Sequence, residues 1–149
     1  MITIQDIQAL CNAAGNAGLN VEPGSLELLQ WNAGAEHRPM ALPSGKAAVY
    51  IFKWKDSYLK VGKVNAKSNA RYQSQHYIPD SSRSNLSRSL LNDSEFQALI
   101  GNEECGRWIK ANTVRFNILI PSSLGKNFVH FAEAFFILKC RPKFEDIRA

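Results

Sequence analysis

Glu133 is the residue whose surroundings ask most insistently for a reason. It lies in VHFAEAFFIL among Phe131, Phe135, Phe136, Ile137 and Leu138, with no other acid between Glu104 and Glu145. A carboxylate in so apolar a segment is costly unless it is paired, hydrogen-bonded or bound to a metal. Taken alone, it fits a salt bridge to a basic side chain as well as it fits metal chemistry. Two short runs eleven residues apart come next: VYI ending at Ile51 and KVG ending at Gly62. Alternation on a strand puts Tyr50 on one face with Phe52, and Lys60 on one face with Tyr58 and Gly62. A glycine inside a strand marks close approach of another group, although an amphipathic hairpin with a surface lysine has the same spacing. The third is SNARYQSQHY, residues 68–77, where Arg71 and Gln75 share one helical face and Tyr72 and His76 another. Cationic and planar polar groups interleaved in this way suit a phosphate and a scissile bond; a solvated helix would carry them too.

The elements that must hold these residues follow from periodicity. Thr3 and Asp6 form a capping-box-like start, and Ile4, Ile7, Leu10, Cys11 and Ala14 recur at helical spacing. A shorter helix is expected over residues 25–30 after Pro23-Gly24, and residues 32–45 read as a loop. Residues 47–54 (AAVYIFKW) and 58–64 (YLKVGKV), joined by Lys55-Asp56-Ser57, read as a β-hairpin. Helices are expected over 69–76 after Ser68, over 85–91 after Ser84, over 95–100 and over 104–111. Residues 113–120 (TVRFNILI) read as a third strand, and the run after Gly125 as a mostly buried helix. The expected architecture is α+β: a small three-stranded antiparallel sheet flanked by helices. It divides into an N-terminal helical extension and loop over 1–46 and a domain over 47–149.

In this order and spacing the pieces resemble the GIY-YIG nuclease superfamily. VYI stands for GIY, KVG for YIG, Arg71 for the arginine of the following helix, and Glu133 for the late helical glutamate. Pro142 of RPKFE stands for the proline of the family's Pro-x-x-Asn tail, and the likeness spans roughly residues 47–146. The resemblance implies a metal-dependent endonuclease hydrolysing DNA to 3′-hydroxyl and 5′-phosphate ends. Tyr50 would activate or position the attacking water, Arg71 would stabilise charge on the phosphorus, and Glu133 would hold one Mg2+ or Mn2+. Lys60 replaces the second tyrosine, as in the restriction-enzyme branch. The family's helical His or Tyr four residues after the arginine falls on Gln75; His76, one step out of phase, is carried as a catalytic candidate, and the tail asparagine is Glu145. Loss of the general base would leave a catalytically inactive nucleic-acid-binding module on the same fold.

Composition agrees with a polyanionic partner, DNA first, with RNA or a branched nucleic acid also open. Lys and Arg outnumber Asp and Glu by 18 to 13, and each phosphate neutralised releases counterions. Lys63, Arg83, Arg88 and Arg107 are the basic residues expected to grip the backbone, Arg83 and Arg88 among serines and Arg107 in GRWIK. Trp108 and His130 are expected to serve packing. Three widely spaced cysteines, Cys11, Cys105 and Cys140, suit free thiols rather than a disulfide framework or a zinc site. With no signal-like start and no run of roughly 20 apolar residues, the expectation is a cytoplasmic protein with no membrane partner.

Overall fold

A computed structural model describes residues 1–82 and 85–144. Four strands, β1 (Glu27–Trp31), β2 (Lys46–Trp54), β3 (Ser57–Val64) and β4 (Val114–Pro121), form one antiparallel sheet in the order β1-β4-β2-β3. The fold is therefore α+β as expected, but with four strands where three were expected. The extra one is β1, in the stretch read as a short helix. Ser25, expected to cap that helix, instead closes a 3-10 turn at Pro23–Ser25, its hydroxyl donating to the Glu22 carbonyl. The chain then runs extended against β4, with Glu27 opposite Leu119 and Trp31 opposite Arg115. Partner strands across the sheet, not local propensity, decide this segment.

Helices cover both faces. On one, α1 (Ile4–Asn16) and α6 (Lys126–Cys140) pack Ile7, Leu10, Phe128, Ala132 and Phe136 against Val49, Ile51, Phe116 and Ile118. An ion pair of 2.8 Å between Lys139 and Asp6 ties the two helices together. The other face is covered by α2 (Asn69–Gln73), α3 (Leu86–Leu91), α4 (Ser94–Ile100) and α5 (Cys105–Asn112), which bring Tyr72, Leu86, Leu90, Phe96, Trp108 and Ile109 onto Ala48, Tyr50, Phe52 and Leu119. Cover on both sides explains why β2 is buried without a break from Ala47 to Phe52. Residues 1–46 thus supply a strand to the sheet and a helix to its core.

Two helices differ from expectation. The one expected over 69–76 breaks at Ser74, and a 3-10 turn over Gln75–Tyr77 carries the chain on. The expected capping residue of α3, Ser84, lies outside the described residues; the Asn85 side chain accepts from the Arg88 N–H at 2.8 Å. The α6 helix is amphipathic rather than mostly buried. Phe128, Val129, Ala132, Phe136 and Cys140 are buried, while Leu138 is 73% exposed. After α6 the backbone N–H groups of Lys143 and Phe144 donate to the carbonyls of Tyr58 and Leu59 on the edge strand β3.

Candidate active site

The position of Tyr50 depends on a residue with no side chain. Tyr50 on β2 faces Gly62 on β3 across the ladder. A Cβ built on Gly62 would lie 2.2 Å from the Tyr50 hydroxyl and 2.4 Å from Cζ. The tyrosine ring therefore lies over the glycine backbone, and only glycine leaves it room. Close approach was the expected meaning of this glycine, and the approaching group is the tyrosine of VYI.

Beside this contact is a cleft of about 290 Å3 lined by Tyr50, Lys60, Gly62, Lys63, Arg71, Glu133 and two aliphatic neighbours. Tyr50 comes from β2, Lys60 from β3, Arg71 from α2 and Glu133 from α6. Two helical layers and two strands thus meet at the edge of the sheet. Tyr50 is wholly buried, and burial raises the pKa of its phenol. The Arg71 guanidinium opposes that rise most, followed by Arg115, while Glu133 adds slightly to it. Among the described residues the hydroxyl has no hydrogen-bond partner of good geometry, so Arg71 acts on it mainly through charge. Lys60 is 5% exposed, which is deep for an ammonium and brings its charge within reach of His76.

Glu133 is less buried than its apolar neighbours suggest. Its side chain is 22% exposed and meets the Lys63 ammonium at 3.3 Å. The described residues contain no group of three His, Cys, Asp or Glu side chains able to enclose a metal ion. A single carboxylate at the mouth of a cleft suits a hard divalent cation that keeps most of its waters, as Mg2+ does, and does not suit zinc. Glu133 could hold such an ion once Lys63 moves aside.

The other expected site residues lie elsewhere. His76, expected at the catalytic centre, does not line the cleft. It is fully buried with its ring centre 4.4 Å from that of Tyr50. Its Nδ1 accepts from the Leu86 N–H at 3.2 Å, so the ring proton resides on Nε2. Burial, then the charges of Arg115, Arg71 and Lys60, hold its pKa well below the usual value. His76 is a neutral wall for the Tyr50 ring. Lys63 does line the cleft. Arg88 and Arg107 are exposed on α3 and α5 and line neither the cleft nor the groove beside it. Arg83 and Glu145 lie outside the described residues. Trp108 is buried in the core as expected, whereas His130 is exposed at the start of α6.

A second cluster, on the face covered by α2 to α5, was not among the expected sites. Arg115 on β4 is fully buried and has no carboxylate partner among the described residues. Its guanidinium carbon lies 4.7 Å from the Trp31 ring centre, 4.8 Å from Tyr72, 5.1 Å from Phe52 and 5.4 Å from Tyr50. Its Nε donates to the Asn117 side-chain oxygen at 2.8 Å and its Nη1 to the Tyr77 hydroxyl at 3.2 Å. Tyr77 bonds His37 Nε2 at 2.7 Å, and His37 Nδ1 bonds the Thr113 carbonyl at 2.8 Å. A carbonyl can only accept, so Nδ1 carries the proton and Nε2 accepts from Tyr77. Burial first, and the nearby charges of Arg115 and Lys110, push the His37 pKa down to about 4.

No protein-family model, curated protein or solved structure matches this chain.

Proposed function

We propose that this protein is a divalent-metal-dependent endonuclease that hydrolyses a phosphodiester of DNA, in the manner the GIY-YIG resemblance implies. The observation that carries the reading is the convergence of Tyr50, Lys60, Arg71 and Glu133, from four elements, on one cleft at the sheet edge. One concave site that brings together a phenol, two cations and a carboxylate holds the kinds of group that phosphodiester hydrolysis calls for.

The cleft's side chains divide the work by chemistry. Arg71 and Lys60 bring positive charge to the phosphate and stabilise the charge that builds on its oxygens as water attacks. Tyr50 fixes the attacking water through its hydroxyl. Because burial keeps that phenol protonated near neutral pH, its service as a base grows on the alkaline side. Glu133 would hold Mg2+ or Mn2+, which when bound supplies Lewis-acid polarisation of the phosphoryl oxygen and stabilises the leaving oxygen. The water oxygen bonds to phosphorus, the bond from phosphorus to the 3′ oxygen breaks, and that oxygen takes a proton.

A second reading has its own support. With Lys63 on Glu133 the carboxylate is already neutralised, and Lys60 stands where the family has a tyrosine. Both features fit a nucleic-acid-binding module that no longer cuts. Supercoiled plasmid incubated with Mg2+ or Mn2+ separates the two. The nuclease reading expects metal-dependent nicking that Glu133→Ala abolishes; intact plasmid alongside retained binding leaves the inactive module.

A further inference from the structure

We propose that the groove beside the cleft is the track of a single nucleic-acid strand, holding phosphates that flank the one at Glu133. The inference rests on the hydrolase reading and names how its substrate lies. The groove has a volume of about 730 Å3 and shares Lys63 and Arg71 with the cleft, so the two lie side by side. Lys67 and Lys126 join those two cations on its walls, with His130 beside them, and none of its lining residues is Asp or Glu. An acid-free wall of this kind is complementary to a polyanion.

Three further features favour a single strand. The floor carries Ala47, Val64 and Val129, small aliphatic groups against which sugars and base faces can lie while phosphates meet the rim. The volume is in the range of pockets that enclose one small-molecule-sized ligand. That is room for one or a few nucleotides of one strand and not for a duplex, whose phosphates lie on a convex surface. Finally, α6 begins in the groove. Its N-cap is Gly125, at φ 89° with open space where a side chain would stand, and no side chain caps the first turn. The first N–H groups of a 15-residue helix therefore add their partial positive charge to that of Lys126 beside them.

Lys67 and Lys126 are exposed, so reversing their charge tests the groove without disturbing the core. A fluorescein-labelled oligonucleotide is followed by anisotropy as a single strand and as a duplex of equal length, in EDTA, over a series of salt concentrations. The proteins are wild type, Lys67→Glu, Lys126→Glu, the double variant, and, as a control, Arg38→Glu on an exposed loop that lines neither the groove nor the cleft. The proposal expects the single strand to bind more tightly than the duplex. Each groove variant should lower the log–log salt slope by about 0.7, the value for one phosphate contact on a single strand, and the double variant by about twice that. Arg38→Glu should leave the slope unchanged. Equal slopes in wild type and the double variant overturn the proposal, and so does a preference for duplex. Binding is read without metal, so the two inferences fail separately. A wild type that never cuts, but loses strand binding in the groove variants, removes the hydrolase reading alone. Cleavage with unchanged strand binding in both variants removes the groove alone.

Discussion

One sheet carries two clusters of cationic and aromatic side chains, and they are built on opposite terms. At the β3 edge, Lys60, Lys63, Arg71 and Glu133 surround a cleft, and the Lys63–Glu133 pair is partly exposed. Two strands inward, Arg115 is sealed among Trp31, Tyr50, Phe52 and Tyr72, with neutral hydrogen-bond partners only. The first arrangement leaves charge able to meet a ligand; the second spends all its contacts inside the protein. Tyr50 belongs to both, with its ring in the interior cluster and its hydroxyl at the cleft. The lesson is that a cation sealed among aromatic rings is no sign of a site, and charge that lines a cleft is the better one.

Variants that touch one cluster only should separate activity from stability. Glu133→Gln should lower metal-dependent cleavage by about 1000-fold or more in single-turnover assays. Its stability in urea should stay within about 1 kcal/mol of wild type, because a partly exposed pair contributes little. A large drop in stability would make Glu133 a structural residue. Arg115→Ala should do the reverse, costing about 3–5 kcal/mol in the same denaturation because it empties a space the size of a large core side chain. Stability unchanged by that substitution would end the contrast between the two clusters.

The interior network also predicts a response to acid. His37 is neutral when folded, with its pKa down at about 4, while in the unfolded chain it titrates near the ordinary value of about 6.5. Between those values the unfolded state binds the extra proton, so stability falls as the pH falls through that window. The loss should be about 3 kcal/mol, read from the midpoint of urea unfolding at pH 7 and pH 4. Replacing His37 with Gln should flatten that part of the profile; a slope that persists assigns it to other groups, His76 first. The smallest effect expected is Gly62→Ala, which places a methyl on the Tyr50 ring and should cost about 1–3 kcal/mol as overpacking. Combining it with Tyr50→Ala should cost less than the sum of the two single changes. Strict additivity would mean that the two side chains never share that space.

Sequence patterns carried the β2–β3 hairpin, β4 and α6, because long β-branched or apolar runs override local ambiguity. They failed at β1, where ELLQW has no strand pattern of its own and takes its form from β4. The cleft residues were legible because their order and spacing resemble a motif, even though each piece is short. Arg115 and Asn117 were not, since R-x-N on a strand looks like a polar face turned to water. The clue available was the number of helices. With helical segments enough to cover both faces, polar residues on a central strand such as β4 must lie inside. His37 had no such clue, as nothing in a loop sequence announces that its imidazole closes a network 76 residues from its carbonyl partner.

Lys143 and Phe144 bring their N–H groups to Tyr58 and Leu59, and this contact bears on how the molecule behaves in a crowd. An outer strand with unpaired backbone groups is a template on which a second chain can add and aggregation can begin. Here the chain covers the start of that strand with its own later segment, and further along it sets Lys63, a partly exposed charge that repels an approaching strand. One lysine proposed to meet phosphate therefore also keeps copies of the protein apart. Replacing it with an apolar residue would remove the proposed substrate contact and a solubility safeguard in one step.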